Sequence, residues 1–238
     1  MMYSQLVEVY EKLESTTSKL KKTEILAKFL SKTPKEFLIP VIRLSTGKVF
    51  AVYEPYELGI ATQMMIKAIS RATGFKPSQV EEKFKETGDL GLASEECVRK
   101  RKQVTLFARK LTVKTVFENL KNLAFITGEG SQERKLNLIT QLLVSAKPKE
   151  ARYIVRTILG ELRTGVAEGI VRDAIAHAFL IKEGMGKSEK KEAIDAVEFA
   201  WDIISDFGEV ALIAKEKGVK GLKKVKPVLG RPIQVMLG

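Results

Sequence analysis

The sequence predicts an all-α fold of about a dozen helices, packed as a single compact domain with an internal pseudo-two-fold repeat. Apolar residues recur every three or four positions through most of the chain. Prolines fall where helices would begin, and convincing runs of alternating apolar and polar residues, which are typical of half-buried strands, are absent.

In the first half of the chain, the apolar spacing predicts helices around Tyr3–Tyr10 and Ile25–Leu30. Pro34 is expected to open the next helix. Gly74 ends a helix and Pro77 begins another one soon after it.

In the second half, Val104–Leu111 is the most strand-like segment. We interpret it as an extended connector that ends at Thr112, a plausible helix N-cap, and that marks a seam between residues 100 and 112. Helical spacing resumes at Leu138–Leu143, and Pro148 is expected to open the following helix.

Two stretches of the chain, at about residues 18–72 and 131–178, carry the same pattern. The first block of each copy comprises Ile25–Ser31, Pro34-Lys35-Glu36, Arg43 and Gly47, matched by Ile139–Ser145, Pro148-Lys149-Glu150, Arg156 and Gly160. The second block comprises Gly59-Ile60-Ala61 and Ala68-Ile69, matched by Gly165-Val166-Ala167 and Ala174-Ile175. Two copies are too few for a solenoid. They suit a two-fold partner, and for a basic protein the commonest such partner is duplex nucleic acid, whose strands run antiparallel.

The composition favours a polyanionic partner. The formal net charge is +12 and the pI is about 9.6, so salt-dependent association with nucleic acid is expected. A lysine-rich surface that serves only solubility explains the charge equally well. The sequence shows no apolar run long enough to cross a membrane and no secretory signal. The single cysteine, Cys97, fits a reducing cytoplasm.

Each copy ends one helix at a glycine and begins the next helix beside a second glycine. These pairs are Gly47 with Gly59, twelve positions apart, and Gly160 with Gly165, five positions apart, and each pair bounds a connector. A glycine beside a helix start lets a phosphate approach the backbone, and the N–H groups and dipole of the helix favour an anion there.

Small and basic residues in the connectors support the same hypothesis. Ala61 and Ala167 leave the approach open, while Lys48 and Arg163 supply positive charge. The structural alternative is that the glycines are helix C-caps and the alanines are close packing positions. Because the pattern is repeated on a basic chain, we favour anion binding.

Residues suited to catalysis do not form a recognisable set. With one histidine, His177, and one cysteine there is no zinc site of ordinary ligand spacing. Cys97 is interpreted as a small helix-packing residue. The sequence therefore indicates a binding protein.

A third glycine cluster precedes the second copy at Gly128–Lys135, and its counterpart in the first copy is Ser18–Lys22. The chain resembles the N-terminal DNA-binding domain of ATP-dependent DNA ligases, especially the archaeal replicative type. The segments that carry this resemblance are the glycine cluster and Glu57–Ala61, Thr87–Gly91 and Leu162–Glu168. The resemblance covers essentially the whole chain. It implies an all-helical, pseudo-two-fold domain that grips the DNA minor groove on both sides of a nick during replication, repair and recombination. Such a domain contacts phosphates and sugars rather than bases.

Carried over by position, the resemblance and the connector argument together give twelve expected DNA-contacting residues. They are Lys19, Lys21, Gly47, Lys48, Gly59, Ala61, Lys135, Gly160, Arg163, Thr164, Gly165 and Ala167. Arg43 and Arg156 occupy equivalent positions, and either DNA contact or capping of a helix end would explain them.

The Lys-x-Asp-Gly motif that carries the adenylated lysine of this family does not occur in the sequence. The resemblance therefore implies a non-catalytic DNA-binding part at residues 1–222, and a linker toward a nucleotidyltransferase domain at 223–238. It implies that ATP, Mg²⁺ and the catalytic domains belong to the full-length enzyme. A sliding clamp is a further expected partner, for which the segment Phe107–Lys110 is a candidate.

Two other classes of protein remain open. A helical RNA-binding module would share the charge and the helix-terminal phosphate sites, although few aromatic residues are available to stack on unpaired bases. A protein-interaction scaffold would expose a large apolar patch and would not retard DNA.

Overall fold

The computed structural model describes residues 1–101 and 110–233. The helices within these ranges are α1 (Tyr3–Glu14), α2 (Lys19–Lys32), α3 (Leu38–Ser45), α4 (Thr62–Thr73), α5 (Pro77–Thr87), α6 (Leu90–Lys100), α7 (Val113–Phe125), α8 (Ser131–Ser145), α9 (Pro148–Ile158), α10 (Glu168–Phe179), α11 (Lys187–Ile204) and α12 (Phe207–Leu222). The only β-type pairing in these ranges is a single bridge between Met2 and Thr112. The predicted all-α class is confirmed.

Most predicted helix boundaries agree with the structure. Pro77 and Pro148 begin α5 and α9, and the Thr112 hydroxyl caps α7 by accepting from the Thr115 amide at 3.0 Å. Pro34 differs, because it precedes a 3₁₀ turn at Lys35–Phe37 and α3 begins only at Leu38. A continuous α-helix from Pro34 would place Pro40 in its interior, where the proline ring clashes with the preceding turn. Starting at Leu38 keeps Pro40 within the first turn.

The described chain divides into two compact units. The first unit comprises Met1–Glu8 and Tyr56–Arg163, and the second comprises Val9–Pro55 and Thr164–Gly238. Two of the unit boundaries, at Pro55 and at Arg163, therefore fall within the two glycine-bounded connectors.

The first unit is built around α4, α6, α8 and α9. In it α6 packs against α9, α4 packs against α8, and α5 lies beside α6. Its core includes the fully buried Met65 and Ile69 of α4 and Ile139 and Leu143 of α8.

The second unit has an equivalent set of helix pairs. There α2 packs against α10, α3 packs against α12, and α11 lies beside α12. Leu26 and Leu30 of α2 and Ala174 and Ile175 of α10 are fully buried. Each unit thus contains helices from both copies. The first unit combines the second block of the first copy with the first block of the second copy, and the second unit combines the other two blocks.

The repeat also extends beyond the two blocks recognised in the sequence. Asp89-Leu90-Gly91 opens α6, and Asp206-Phe207-Gly208 opens α12 in the same way. A Cβ atom on Gly91 would lie 2.8 Å from the Arg152 carbonyl oxygen of α9, and one on Gly208 would lie 3.0 Å from Ile39 Cα of α3. Both glycines therefore permit a close approach of two helices.

Candidate nucleic-acid interface

The first glycine of each connector ends a helix in the left-handed conformation. Gly47 has φ 72° and Gly160 has φ 73°. The next amide in each case bonds back to an arginine carbonyl oxygen, Lys48 N to Arg43 O at 3.0 Å and Glu161 N to Arg156 O at 2.8 Å. This bonding is a helix C-cap, so capping alone accounts for both glycines and their contact with DNA stays a prediction.

The second glycine of each connector has a different environment, because a lysine side chain lies against it. Gly165 has φ 64°, and Lys22 Nζ donates to the preceding carbonyl oxygen of Thr164 at 2.6 Å. A Cβ atom on Gly165 would lie only 2.4 Å from Lys22 Nζ. Thr164 itself is 2 % exposed, so its side chain lies on the inner side of the connector.

The equivalent arrangement occurs in the first unit. Gly59 has φ 62°, and Lys135 Nζ donates to the preceding carbonyl oxygen of Leu58 at 2.9 Å. A Cβ atom on Gly59 would lie 3.3 Å from Lys135 Nζ. Lys22 and Lys135 are therefore structural counterparts. In the same basic run the sequence pattern indicated Lys19 and Lys21 but not Lys22.

Both connectors lead into a helix whose N-cap is an alanine. Ala61 precedes α4 and Ala167 precedes α10, and neither side chain accepts a hydrogen bond from the helix. Alanine is a poor N-cap because it has no acceptor for the first N–H groups of the helix. Each twelve-residue helix therefore presents first-turn amides that its N-cap side chain does not satisfy.

Arg163 adopts a left-handed conformation that is unusual for a residue with a side chain, with φ 60°. Its guanidinium lies 3.5 Å from Asp89 Oδ2 and 2.8 Å from Glu161 Oε2. The side chain is 46 % exposed. Lys48, the predicted cation of the longer connector, is also exposed.

Two surface depressions in the second unit are lined in part by residues that the sequence predicts to contact DNA. Lys19 and Ala167 line one of about 490 Å³, together with Arg172 and His177. Lys48 and Ala167 line the other, of about 290 Å³. Lys21 is exposed on α2 but lines neither depression.

Arg43 and Arg156 hold the starts of α12 and α6. Arg43 Nη2 lies 2.7 Å from Asp206 Oδ2, and Arg156 Nη2 lies 2.7 Å from Asp89 Oδ2. Each aspartate also caps its helix, accepting from an amide two residues on. The structure therefore gives both arginines a bracing role. The repeated Asp-x-Gly sequence was the signal that could have revealed these pairs.

Cys97 fits the packing interpretation. It is fully buried, and burial raises the pKa of its thiol to about 11, so the thiol stays protonated at neutral pH. Most of the candidate clamp segment, Phe107–Lys110, lies outside the described residues. In the described ranges no helix combines the length and apolar character needed to cross a bilayer.

Comparison with known proteins identifies the family. Residues 2–176 match the family model described as DNA ligase N terminus. The DNA ligases of Thermococcus onnurineus and Nanoarchaeum equitans are 44 % and 45 % identical over 237 residues, which is all of this chain and 40 % of each relative. The DNA ligase of Archaeoglobus fulgidus is 40 % identical over 238 residues, again all of this chain and 41 % of the relative.

The chain thus spans about 40 % of the length of the curated relatives it matches. The matched region contains both connectors, both lysine–glycine contacts and the Arg156–Asp89 pair. On these grounds the chain belongs to the DNA ligase N-terminal family.

Proposed function

We propose that this chain binds duplex DNA through the sugar–phosphate backbone, without sequence preference, around a nick in the minor groove. In this proposal it is the DNA-binding part of an ATP-dependent ligase that acts in replication and repair. The observation that carries the proposal is the duplicated connector: a left-handed glycine, a lysine ammonium against it and an alanine-capped helix start. Family membership supports the choice of DNA as the ligand.

The chemistry of the connectors suits phosphate oxygens. Helix-terminal amides and lysine side chains donate hydrogen bonds to any phosphodiester, whatever base it carries. The excess of positive charge, +12 over the whole chain, adds attraction that salt screens. We therefore expect affinity that depends steeply on salt and little on sequence.

Each unit contributes one connector site. The first unit holds Gly59, Ala61 and Lys135, and the second holds Gly165 and Ala167. The exposed Lys48 belongs to the longer connector, but it lies in the second unit, where it lines a depression with Ala167. Arg163, in the first unit, extends the charge of the shorter connector. Gly47, Gly160, Lys19, Lys21 and Thr164 stay in the proposal as neighbouring residues of these sites.

Catalysis is assigned to other parts of a ligase. Within residues 1–101 and 110–233 no group of three or more histidine, cysteine, aspartate or glutamate side chains is arranged to hold a metal ion. Because the chain belongs to the N-terminal part of the ligase family, we propose that catalytic domains of the same polypeptide bind ATP and Mg²⁺ and supply that chemistry. A sliding clamp remains a proposed partner.

Fluorescence anisotropy of a labelled nicked duplex, titrated from low to physiological salt, tests the proposal. Intact duplex DNA, single-stranded DNA and double-stranded RNA serve as competitors. Steep salt dependence, with competition by DNA duplexes of unrelated sequence, is the expected result. Preferential competition by RNA would favour an RNA-binding module, and no binding even at low salt would favour a protein scaffold.

A further inference from the structure

Lys22 is a buried cation that has no acidic partner within residues 1–101 and 110–233. The residue is 8 % exposed, and its ammonium bonds to the Thr164 carbonyl oxygen. Among the residues that the structure describes, it forms no ion pair with a carboxylate. Removing an ammonium from water costs free energy that one neutral acceptor offsets only in part. An anion beside Lys22 would supply the counter-charge that the carbonyl oxygen lacks.

Lys135 repeats the arrangement in the other copy. It is half-buried, bonds to the Leu58 carbonyl oxygen and, within the described residues, likewise forms no ion pair. Lys22 and Lys135 are 113 residues apart, and so are Arg43 and Arg156. The two lysines therefore occupy equivalent positions in the two copies, as the two arginines do.

Each lysine reaches the connector of the opposite copy. Lys22 of the first copy lies against Gly165 of the second, and Lys135 of the second copy lies against Gly59 of the first. An ammonium has three N–H donors, and the structure shows one acceptor for each of these two lysines. Donors therefore remain at the point where the connector turns into an alanine-capped helix.

We propose that Lys22 and Lys135 are the phosphate-binding cations of the two connectors, each donating to a non-bridging oxygen of a DNA phosphodiester. The carbonyl oxygen before the glycine holds the ammonium in place, and the glycine leaves the space that any larger side chain would fill. The proposal rests on the DNA-binding function proposed above. It adds a residue, Lys22, and an equivalence between the two lysines that the sequence did not reveal.

Lys22→Met and Lys135→Met, measured against Lys215→Met, test the assignment. Lys215 is a matched control because its Nζ also donates to a backbone carbonyl oxygen, that of Thr33 at 2.6 Å, yet it lies on α12 outside both connectors. We measure affinity for the nicked duplex across a salt series. Each connector variant should lower the slope of log K against log salt by about one, and the double variant by about two. Lys215→Met should leave the slope unchanged.

Thermal unfolding separates ligand binding from bracing. If Lys22 serves an anion, Lys22→Met removes an uncompensated buried charge, so the Tm of the DNA-free chain should hold or rise while affinity falls. A lower Tm with an unchanged salt slope would show that Lys22 is only a brace, and would overturn the assignment. If Lys22→Met does not fold, the half-exposed Lys135→Met carries the same prediction for the slope.

The salt series also distinguishes this proposal from the one on which it rests. Wild-type chain that fails to bind DNA would overturn both. Wild-type chain that binds DNA, with slopes unaffected by either connector variant, would leave the proposed function standing and remove only the two lysines from it.

Discussion

The two units contain the same buried arginine–aspartate pair but surround it with opposite charges. In the second unit Arg43 lies 2.7 Å from Asp206 and 3.0 Å from Glu54, so one guanidinium serves two carboxylates. In the first unit Asp89 lies 2.7 Å from Arg156 and 3.5 Å from Arg163, so one carboxylate serves two guanidinium groups. In each unit the arginine–aspartate pair holds the start of a helix in place. The two clusters differ only in the third charged residue, Glu54 in one and Arg163 in the other.

In both units the third member comes from a connector. Glu54 belongs to the longer one, where it also accepts from the Ala51 amide at 2.7 Å and so folds the connector back on itself. Arg163 belongs to the shorter one and remains 46 % exposed. The two copies therefore share the brace but differ in the length and charge of their connectors. We infer that the shorter connector is the stronger contact for phosphate.

The ionisation of the two clusters reflects this difference. Burial by itself would lower the pKa of the Arg43 guanidinium, but the hydrogen bond and charge of Asp206 and the charge of Glu54 raise it. Burial by itself would raise the pKa of Asp89, but the hydrogen bond and charge of Arg156, helped by Arg163, lower it below the ordinary 3.8. The Arg43 guanidinium and the Asp89 carboxylate therefore both remain ionised at neutral pH.

The largest effect is expected from removing the shared carboxylate. Asp89→Ala should lower the free energy of unfolding by about 3–5 kcal/mol, because it takes away the carboxylate that the buried Arg156 contacts through both Nε and Nη2. Asp206→Ala should cost less, since Arg43 keeps Glu54. Urea denaturation monitored by circular dichroism measures both.

Arg71→Ala provides the control, because its ion pair with Glu133 is exposed to solvent and should contribute far less to stability than the buried pair. Equal losses for Asp89→Ala and Asp206→Ala would mean that Glu54 does not compensate. The proposed asymmetry between the clusters would then be wrong.

Acid titration sharpens the same comparison. Because the folded-state pKa of Asp89 is lowered, its stabilisation is fully present above the unfolded pKa and is lost as the pH falls through the folded pKa. The difference in unfolding free energy between wild type and Asp89→Asn should thus stay constant near neutrality and shrink below about pH 4. Denaturation midpoints from pH 7 down to pH 3 measure it, and a difference that grew on acidification would contradict the lowered pKa.

The sequence predicted the features that depend on neighbouring residues. These features are prolines at helix starts, glycines at left-handed turns and the helical spacing of apolar residues. Each depends only on residues a few positions away, and for this reason the sequence predicted the all-α class and the two connectors. The sequence did not indicate which lysine of residues 19–22 contacts the connector. Lys19 and Lys21 resembled the accessible cations, whereas burial distinguishes Lys22, and burial depends on α10, which lies far along the chain.

The contacts that brace the connectors could not be predicted in the same way. The Lys22–Thr164 bond spans 142 residues and the Arg43–Asp206 pair spans 163. Such contacts follow from helices of one copy packing against helices of the other, and spacing within one segment does not indicate that exchange. The sequence Asp-x-Gly occurs at the start of both α6 and α12, but each occurrence considered alone predicts only that a helix begins there.

Substitution of the connector glycines compares the two lysine contacts directly. Gly165→Val should weaken duplex binding more than Gly59→Val, because its added Cβ would lie 2.4 Å rather than 3.3 Å from the lysine ammonium. Both should also lose about 1–2 kcal/mol of stability from the left-handed backbone. Gly184→Val is the matched control: φ is 86° there, and apart from the adjacent residues no atom of the described part of the chain lies within 4 Å of the added Cβ. Normal DNA binding by Gly165→Val would refute the anion-binding role of the connector.

The smallest effect is expected at the exposed cations, where the inferred difference between the connectors is tested most directly. Arg163→Ala should weaken duplex binding equally for all sequences and lower the salt slope by about one, because it removes one phosphate contact. Lys48→Ala should change the slope less, since the longer connector holds two carboxylates, Glu54 and Glu57, whereas the shorter one holds only Glu161. The measurement is the salt series on nicked duplexes of two unrelated sequences. If Lys48→Ala lowered the slope as much as Arg163→Ala does, divergence in connector charge would have no consequence for binding, and the two connectors would be equivalent DNA contacts despite their different lengths.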